Sequence, residues 1–304
     1  MLKTEDGALF TRDLVLNTQQ LQQLMIELEK KPDPDGLTWQ TCEDICKSYM
    51  DPDNRERRKD IGLKFLTELQ NVKAAHSIGL RHKSVVSLLR KIVNKKSNPK
   101  NNPKYSKISS ATYDKLLTDL IGVRILIRFK HQWKDVHDQL QNLFHNVEKH
   151  PIHPPMSRNE TIGNTLGLLT GDMEYCYFYE EPVAYVHDKT ENSTYCCDGG
   201  LAENQIHDSD HGYRSVHYII RYFGYHIEVQ VRTIFEEGWS ECDHDLCYKE
   251  PDVTRKKVQK QMSDVLSGLA HQADEMSSLM FDFKKYEISQ KKQEPLTKIE
   301  KGAE

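Results

Sequence analysis

The chain has 304 residues and a mass of 35.4 kDa; 29% of its residues are charged, its mean hydropathy is −0.71 and its formal net charge is −4. That length suffices for one large domain or two small ones, and no apolar run approaches the ~18 residues that a membrane span requires. The opening MLKTEDGALFTRD lacks the apolar core of a secretion signal, so a cytoplasmic location without a membrane partner is expected.

Residues 14–30 carry Leu14, Leu21, Leu24, Met25 and Leu28 at helical spacing, and KPDPDG then breaks the chain. A second helix is expected over about 37–50, and a third opens at DPDNRERRKD, with helical patterning to about residue 76. Residues 55–107 hold 15 Lys/Arg against 3 Asp/Glu, a net of +12 that the net charge of the whole chain conceals. Such a block suits a polyanion, either nucleotide phosphates or nucleic acid, although a charge run is also the ordinary mark of a solvated helix face.

Ser84 is placed to cap a helix whose apolar stripe is Val85, Leu88, Leu89 and Ile92. At 100° per residue, Ser84, Ser87, Lys91 and Lys95 fall within about 80° of one another, and Arg81 and Lys83 precede the helix N-terminus. Cations beside free backbone N–H groups form a phosphate site. After the loop NPKNNPKYSK, the run DLIGVRILIRF (Asp119 to Phe129) reads as a buried strand and Trp133–Val147 as a helix. Asp119 and Arg124 are five residues apart, so they share a face only if Gly122 marks a bulge; otherwise Asp119 lies at the strand mouth.

Residues 150–210 are irregular, with one or two short strands expected. SVHYIIRYFGYHIEVQVRT then reads as a hairpin turning at Phe223-Gly224. In its second strand Ile227, Val229 and Val231 alternate with His226, Glu228, Gln230 and Arg232, so one face carries a carboxylate, an amide and a guanidinium in line. FEEGWSECDHDLCYK is helical. Its Cys242-x-His244-x-x-Cys247 has metal-ligand types but no paired CxxC, and the seven scattered cysteines read better as thiols than as a zinc site or disulfide framework. Val258, Met262, Val265, Leu269, Ala273, Met276, Met280 and Phe283 form the stripe of a long amphipathic helix, packed on the domain or against a homo-oligomeric or regulatory partner.

Two carboxylates on strands beside a basic helix suit phosphoryl chemistry: carboxylates hold Mg²⁺ against phosphate oxygens while cations neutralise the developing charge. No G-x-x-x-x-G-K-[ST] loop and no kinase motif is present. The residues themselves lead as far as a phosphate-handling enzyme.

The ordered set RxKS…S…K (Arg81, Lys83, Ser84, Ser87, Lys91), DLIGVRI, HGYRSVHY, IEVQVRT and WSECDHDLCYK resembles the RelA/SpoT-type alarmone synthetases over about residues 60–250. The resemblance implies an α+β fold: a mixed β-sheet flanked by helices and related to nucleotidyltransferases. Three segments are expected, a helical extension over 1–54, the synthetase domain over 55–250, and a helix with polar tail over 251–304. The resemblance further implies Mg²⁺-dependent transfer of the β,γ-pyrophosphate of ATP to the ribose 3′-hydroxyl of GDP or GTP, making (p)ppGpp. Arg81, Lys83, Ser87, Lys91 and Arg124 match the ATP grip, Asp119 the metal ligand, and Glu228 the carboxylate that holds metal or activates the hydroxyl. Tyr213 matches the guanine-stacking residue, with Arg214, His217 and Gln230 bordering the acceptor.

Departures accompany the match. Ser209, within the acidic HDSDH run, stands where many relatives carry a lysine, and GGLAENQIHD replaces a basic loop. Both would contact acceptor phosphates, so the acceptor stays open between GDP/GTP, an adenosine nucleotide and the 3′ end of tRNA, the last two as in toxic relatives. The tRNA backbone would lie on the basic 55–107 segment. The hydrolase signature HDxxED is missing. A silent nucleotide sensor is the alternative outside catalysis, and the retained Asp119 and Glu228 argue against it.

Overall fold

The computed structural model describes Ile26 and residues 38–96, 103–144, 177–186, 192–195, 200–209, 212–246 and 253–293. The helix expected over 14–30, apart from Ile26, lies outside these residues, as do residues 145–147 at the end of the helix expected over Trp133–Val147, residues 150–176 of the irregular stretch and residues 294–304 of the polar tail.

Alternation of apolar and polar residues builds the centre of the sheet. Strands β5 (Ser215–Tyr222) and β6 (Tyr225–Thr233) pair antiparallel, with Ile219 opposite Glu228 and His217 opposite Gln230. Their turn falls at Phe223-Gly224, both with positive φ (46° and 79°), as a two-residue hairpin loop requires. Glycine meets that demand freely; Phe223 meets it because its ring is buried against Tyr222 and covered by the Lys64 ammonium at 4.0 Å.

Strand β2 (Ile121–Ile127) alternates buried and half-buried residues without interruption, so Gly122 marks no bulge and Asp119 lies just before the strand. Strand β1 (Ser77–His82), which apolar patterning does not announce, is an edge strand. Strands β3 (Tyr177–Val186) and β4 (Ile206–Asp208) pair in parallel. The six-stranded order is β1-β2-β6-β5-β3-β4, a mixed sheet, and the fold is α+β as expected.

The chain divides into two compact units. The first comprises residues 1–125, 136–183 and 216–231. It contains helices α1 (Trp39–Met50), α2 (Pro52–Glu68) and α3 (Val85–Lys96). Cys42, Ile45 and Tyr49 of α1 share one core with Leu88, Leu89 and Ile92 of α3 and with Leu117 and Leu120, so residues expected in an N-terminal extension pack against the basic helix. Phe65 of α2 contacts Phe144 and Tyr222 at 5.3 and 5.1 Å between ring centroids. The short α4 (Tyr113–Leu116) leads into β2, and the later turns of α5 (Gln132–Phe144) supply Val136, Leu140 and Phe144 to the interior.

The second unit comprises residues 126–135, 184–215 and 232–304. It contains the short α6 (Asn192–Tyr195), α7 (Ile234–Leu246) and α8 (Val253–Gln293). Trp239 of α7 donates to Ser263 of α8, and Phe281 stacks on Phe129 and His131 at 4.5 and 4.7 Å. Of the two packings expected for the apolar stripe, the one on its own domain is not adopted: the stripe points outward, while Ser263, Ser267, Ala270 and Asp274 face inward. Small side chains let a helix approach a bulky neighbour such as Trp239 closely, which a Leu/Met face would prevent. Among the described residues no helix is long and apolar enough to cross a membrane.

Candidate active site

In the first unit the chain leaves β1, turns at Lys83-Ser84 and enters α3. Ser84 caps that helix: its Oγ accepts from the Ser87 amide at 3.2 Å and lies 2.9 Å from the Ser87 hydroxyl. The turn is held from both sides, because the Lys83 amide donates to Leu120 O at 3.1 Å and the Tyr49 hydroxyl to Lys83 O at 2.6 Å. Arg58 reinforces Tyr49 by donating to its carbonyl and lying 3.8 Å above its ring. Neither Tyr49 nor Arg58 bears any motif that singles it out in the sequence.

This framework aims two ammonium groups at one carboxylate. Lys83 Nζ and Lys91 Nζ lie 2.7 and 2.8 Å from Asp119 Oδ2. Burial pushes the Asp119 carboxyl up, but Lys91 and Lys83 outweigh it and hold the group below the usual carboxylate range. Oδ1 is buried and has no hydrogen-bond partner among the described residues. Tyr105, also missed in the sequence, is buried within the field of this carboxylate; burial and then Asp119 push its hydroxyl up to about 12.

On β6, Glu228 and Gln230 point to the partly open face. Gln230 Nε2 donates to Glu228 Oε2 at 2.9 Å, and His217 Nδ1 lies 3.6 Å from Glu228 Oε1. Burial raises Glu228, yet the hydrogen bond and charge of His217, with Lys91, hold it below its ordinary range against the opposing field of Asp119. Thus Asp119, Lys91, Glu228, His217 and Gln230 form one electrostatic group. The line of polar residues expected along β6 is shorter than its sequence: His226 is buried against Tyr179 at 4.1 Å, and Arg232 is buried as well. Arg81 is exposed on the edge strand, and Arg124 occupies the half-buried face of β2.

The second unit holds Tyr213 and Arg214. Gly212 has φ 79°, a left-handed conformation that suits glycine. Its carbonyl accepts from Arg214 Nη1 at 3.2 Å and from Ser267 at 3.4 Å. Arg214, 4% exposed, also meets Glu236 at 3.0 Å, so its guanidinium faces the protein rather than open solvent. The Tyr213 ring centroid lies 6.2 Å from that of Tyr185 and 5.3 Å from the Arg232 guanidinium. Arg232 is itself fixed by Glu237 at 3.2 Å and Ser240 at 2.8 Å. Ser209, at the position of the expected lysine, donates to Tyr213 O at 2.6 Å. Asp210 and His211 lie outside the described residues.

Residues 173–253 match the family model described as the region found in RelA / SpoT proteins. The chain carries a RelA/SpoT region. That region contains the hairpin, Glu228, Gln230 and the Gly212-Tyr213 turn. No curated protein matches the chain. Among solved structures, small alarmone synthetase 1 from Bacillus subtilis is 16% identical, covering 76% of this chain and 94% of its own, with a TM-score of 0.46. The same synthetase bound to its product pppGpp is aligned at 17% identity over 76% and 94% of the two chains, with a TM-score of 0.43. A GTP pyrophosphokinase family protein from Streptococcus pneumoniae is 17% identical over 79% and 95%, with a TM-score of 0.46.

Two carboxylates, one with an orphaned buried oxygen, match the donor set with which Mg²⁺ is held alongside substrate phosphates. Among the described residues no cluster of three or more His, Cys, Asp or Glu side chains forms a cage of protein ligands. A magnesium ion sharing its coordination with nucleotide phosphates does not require one.

Proposed function

We propose that the protein transfers the β,γ-pyrophosphate of ATP to the ribose 3′-hydroxyl of a guanosine nucleotide, GDP or GTP. The observation that carries this reading is the pairing of Lys83 and Lys91 with Asp119, one carboxylate oxygen being left open, in the field of Glu228. The RelA/SpoT region supports the reaction class.

Asp119 and Glu228 would hold Mg²⁺, which supplies charge neutralisation at the phosphate oxygens when bound. Lys83 and Lys91, with Arg81, Ser87 and Arg124, bind the triphosphate and offset the charge that builds on the transferred group. In the transfer the acceptor 3′-oxygen bonds to the β-phosphorus, the bond from that phosphorus to the α,β-bridging oxygen breaks, and AMP leaves. Glu228, ionised at neutral pH, orients the hydroxyl through one oxygen and takes its proton as the new O–P bond raises its acidity. Gln230 and His217 fix the carboxylate in that orientation. Tyr213 serves as the platform for the acceptor base, its ring held by Tyr185 and Arg232; Arg214 holds the backbone turn from which it projects.

The test is transfer of label from [γ-³²P]ATP in Mg²⁺, with GDP, GTP, AMP, ATP and deacylated tRNA offered separately. Label on GDP or GTP is the expected result. Label on tRNA or an adenosine nucleotide alone would reassign the acceptor. Nucleotide binding with no transfer to any acceptor would leave a sensor and end the catalytic reading.

A further inference from the structure

Helix α8 has two faces of opposite character. Ser263, Ser267 and Asp274 are buried in its own unit, whereas Met262, Val265, Leu269, Met276, Leu279 and Phe283 are 56–67% exposed. With Gln272 between Leu269 and Met276, these positions alternate at spacings of three and four, and Val258 and Tyr286 extend the same series at its ends. The repeat is the a/d heptad, sustained over four heptads of a 41-residue helix about 60 Å long. An isolated straight helix drifts off a strict seven-residue repeat, so a seam kept in register for this length fits a second helix wound on it.

Its extent points the same way. The open strip amounts to on the order of 1,000 Å², beyond the ~300–600 Å² of the largest patch on an ordinary monomer and near the ~800 Å² that each partner buries in a stable complex. No a, d or e position from Val258 to Tyr286 is charged. A polyanion or anionic surface would find no cation in that seam, whereas an identical neutral seam is complementary to it. Gln272, the one polar residue in the a/d series, restricts the registers in which two such seams fit, as single polar residues do in paired helices.

We propose that α8 associates with α8 of a second copy of this chain through its a/d seam. The interface is isologous, each helix supplying the same knobs and holes. This association stands apart from the nucleotide chemistry and holds whether or not transfer is observed.

Sedimentation velocity of the full chain, from sub-micromolar to tens of micromolar, tests it against Leu269→Glu with Leu279→Glu. Both positions are exposed, and unchanged helical circular dichroism confirms that the variant folds. Wild type is expected at a multiple of 35.4 kDa, the variant at that mass, with a dissociation constant raised at least about 100-fold. Val265→Ser with Met276→Ser, which adds no charge, is expected to weaken association in the same direction. A wild type that remains monomeric throughout overturns the proposal, as does either folded variant that keeps the wild-type mass. Monomeric wild type that binds phosphatidylserine vesicles would overturn it too, assigning the seam to a lipid surface.

Discussion

At the scale of single residues, the first unit concentrates its chemistry on Asp119. Two ammonium groups converge on Oδ2, so this carboxylate anchors the lysines as well as offering Oδ1 to a cation. Asp119→Asn keeps the shape and removes the charge. It is expected to lower transfer at least about 100-fold, measured by product formation at saturating ATP and Mg²⁺. The two lysines then repel without a counter-charge, at a cost of about 1–2 kcal/mol read from urea unfolding. Glu228→Gln should lose transfer comparably while leaving stability nearer to wild type, because its neighbours His217 and Gln230 hydrogen-bond an amide as well. Turnover unchanged in either variant would remove that residue from the proposed site. Arg214 behaves differently. Its pair with Glu236 has side chains 4% and 3% exposed, so Arg214→Met leaves a buried carboxylate unpaired and should cost about 3–5 kcal/mol. Adding Glu236→Leu should recover much of that loss. A cycle showing no coupling would mean that the pair does not hold the Gly212-Tyr213 turn.

At the scale of elements, α8 carries a carboxyl group where a helix rarely places one. Asp274 is fully buried; its Oδ2 accepts from Thr233 at 2.7 Å and its Oδ1 has no partner among the described residues. Burial pushes the group up to about 6, against the Thr233 hydrogen bond and the charges of Lys130 and Arg214. A carboxyl raised on folding keeps its proton in the native state after the unfolded chain has lost it. Stability therefore falls as pH rises from about 4, through the folded value near 6, and then levels. Asp274→Asn cannot ionise, so its stability relative to wild type should increase by about 2–3 kcal/mol between pH 4 and pH 7.5. Urea unfolding at both pH values measures this, and a pH-independent difference would show that Asp274 does not titrate in that window. Legibility in the sequence differed between elements for related reasons. The β5–β6 hairpin shows in advance because strict alternation and a Phe-Gly turn coincide there. Strand β1 does not, because an edge strand that is partly exposed on both faces has no alternation to display. The stripe of α8 is evident, but which way it faces is not: close packing against Trp239 selects small residues, so the less apolar face goes inward. At the proposed site, Lys83, Lys91, Asp119 and Glu228 stand out through the motifs that carry the family resemblance. The work of Tyr49, Arg58 and Tyr105 does not, since it depends on contacts between distant parts of the chain.

At the scale of the whole molecule, charge is segregated along the chain. A net of +12 over residues 55–107 sits within a protein of net charge −4, so the basic field is local and the remainder repels polyanions. Part of that block is committed: Lys83 and Lys91 hold Asp119, and Lys96, buried, donates to Ser106 O at 2.9 Å. Other members, such as Arg90 and Lys107, are exposed. A field made by exposed charges is screened over a Debye length of about 8 Å at physiological salt, whereas short contacts inside the site are screened far less. Raising salt should therefore weaken capture of ATP more than the transfer step itself. We expect KM for ATP to rise by about 3–10-fold between low and high salt with kcat changing less than about twofold. Arg90→Gln with Lys107→Gln should raise KM at low salt and flatten its salt dependence, because these side chains contribute field without touching Asp119. Initial rates across an ATP series at several NaCl concentrations measure both quantities. A KM independent of salt in the wild type would mean that the basic block is a solvated surface, with nucleotide capture resting on the Asp119 lysines alone.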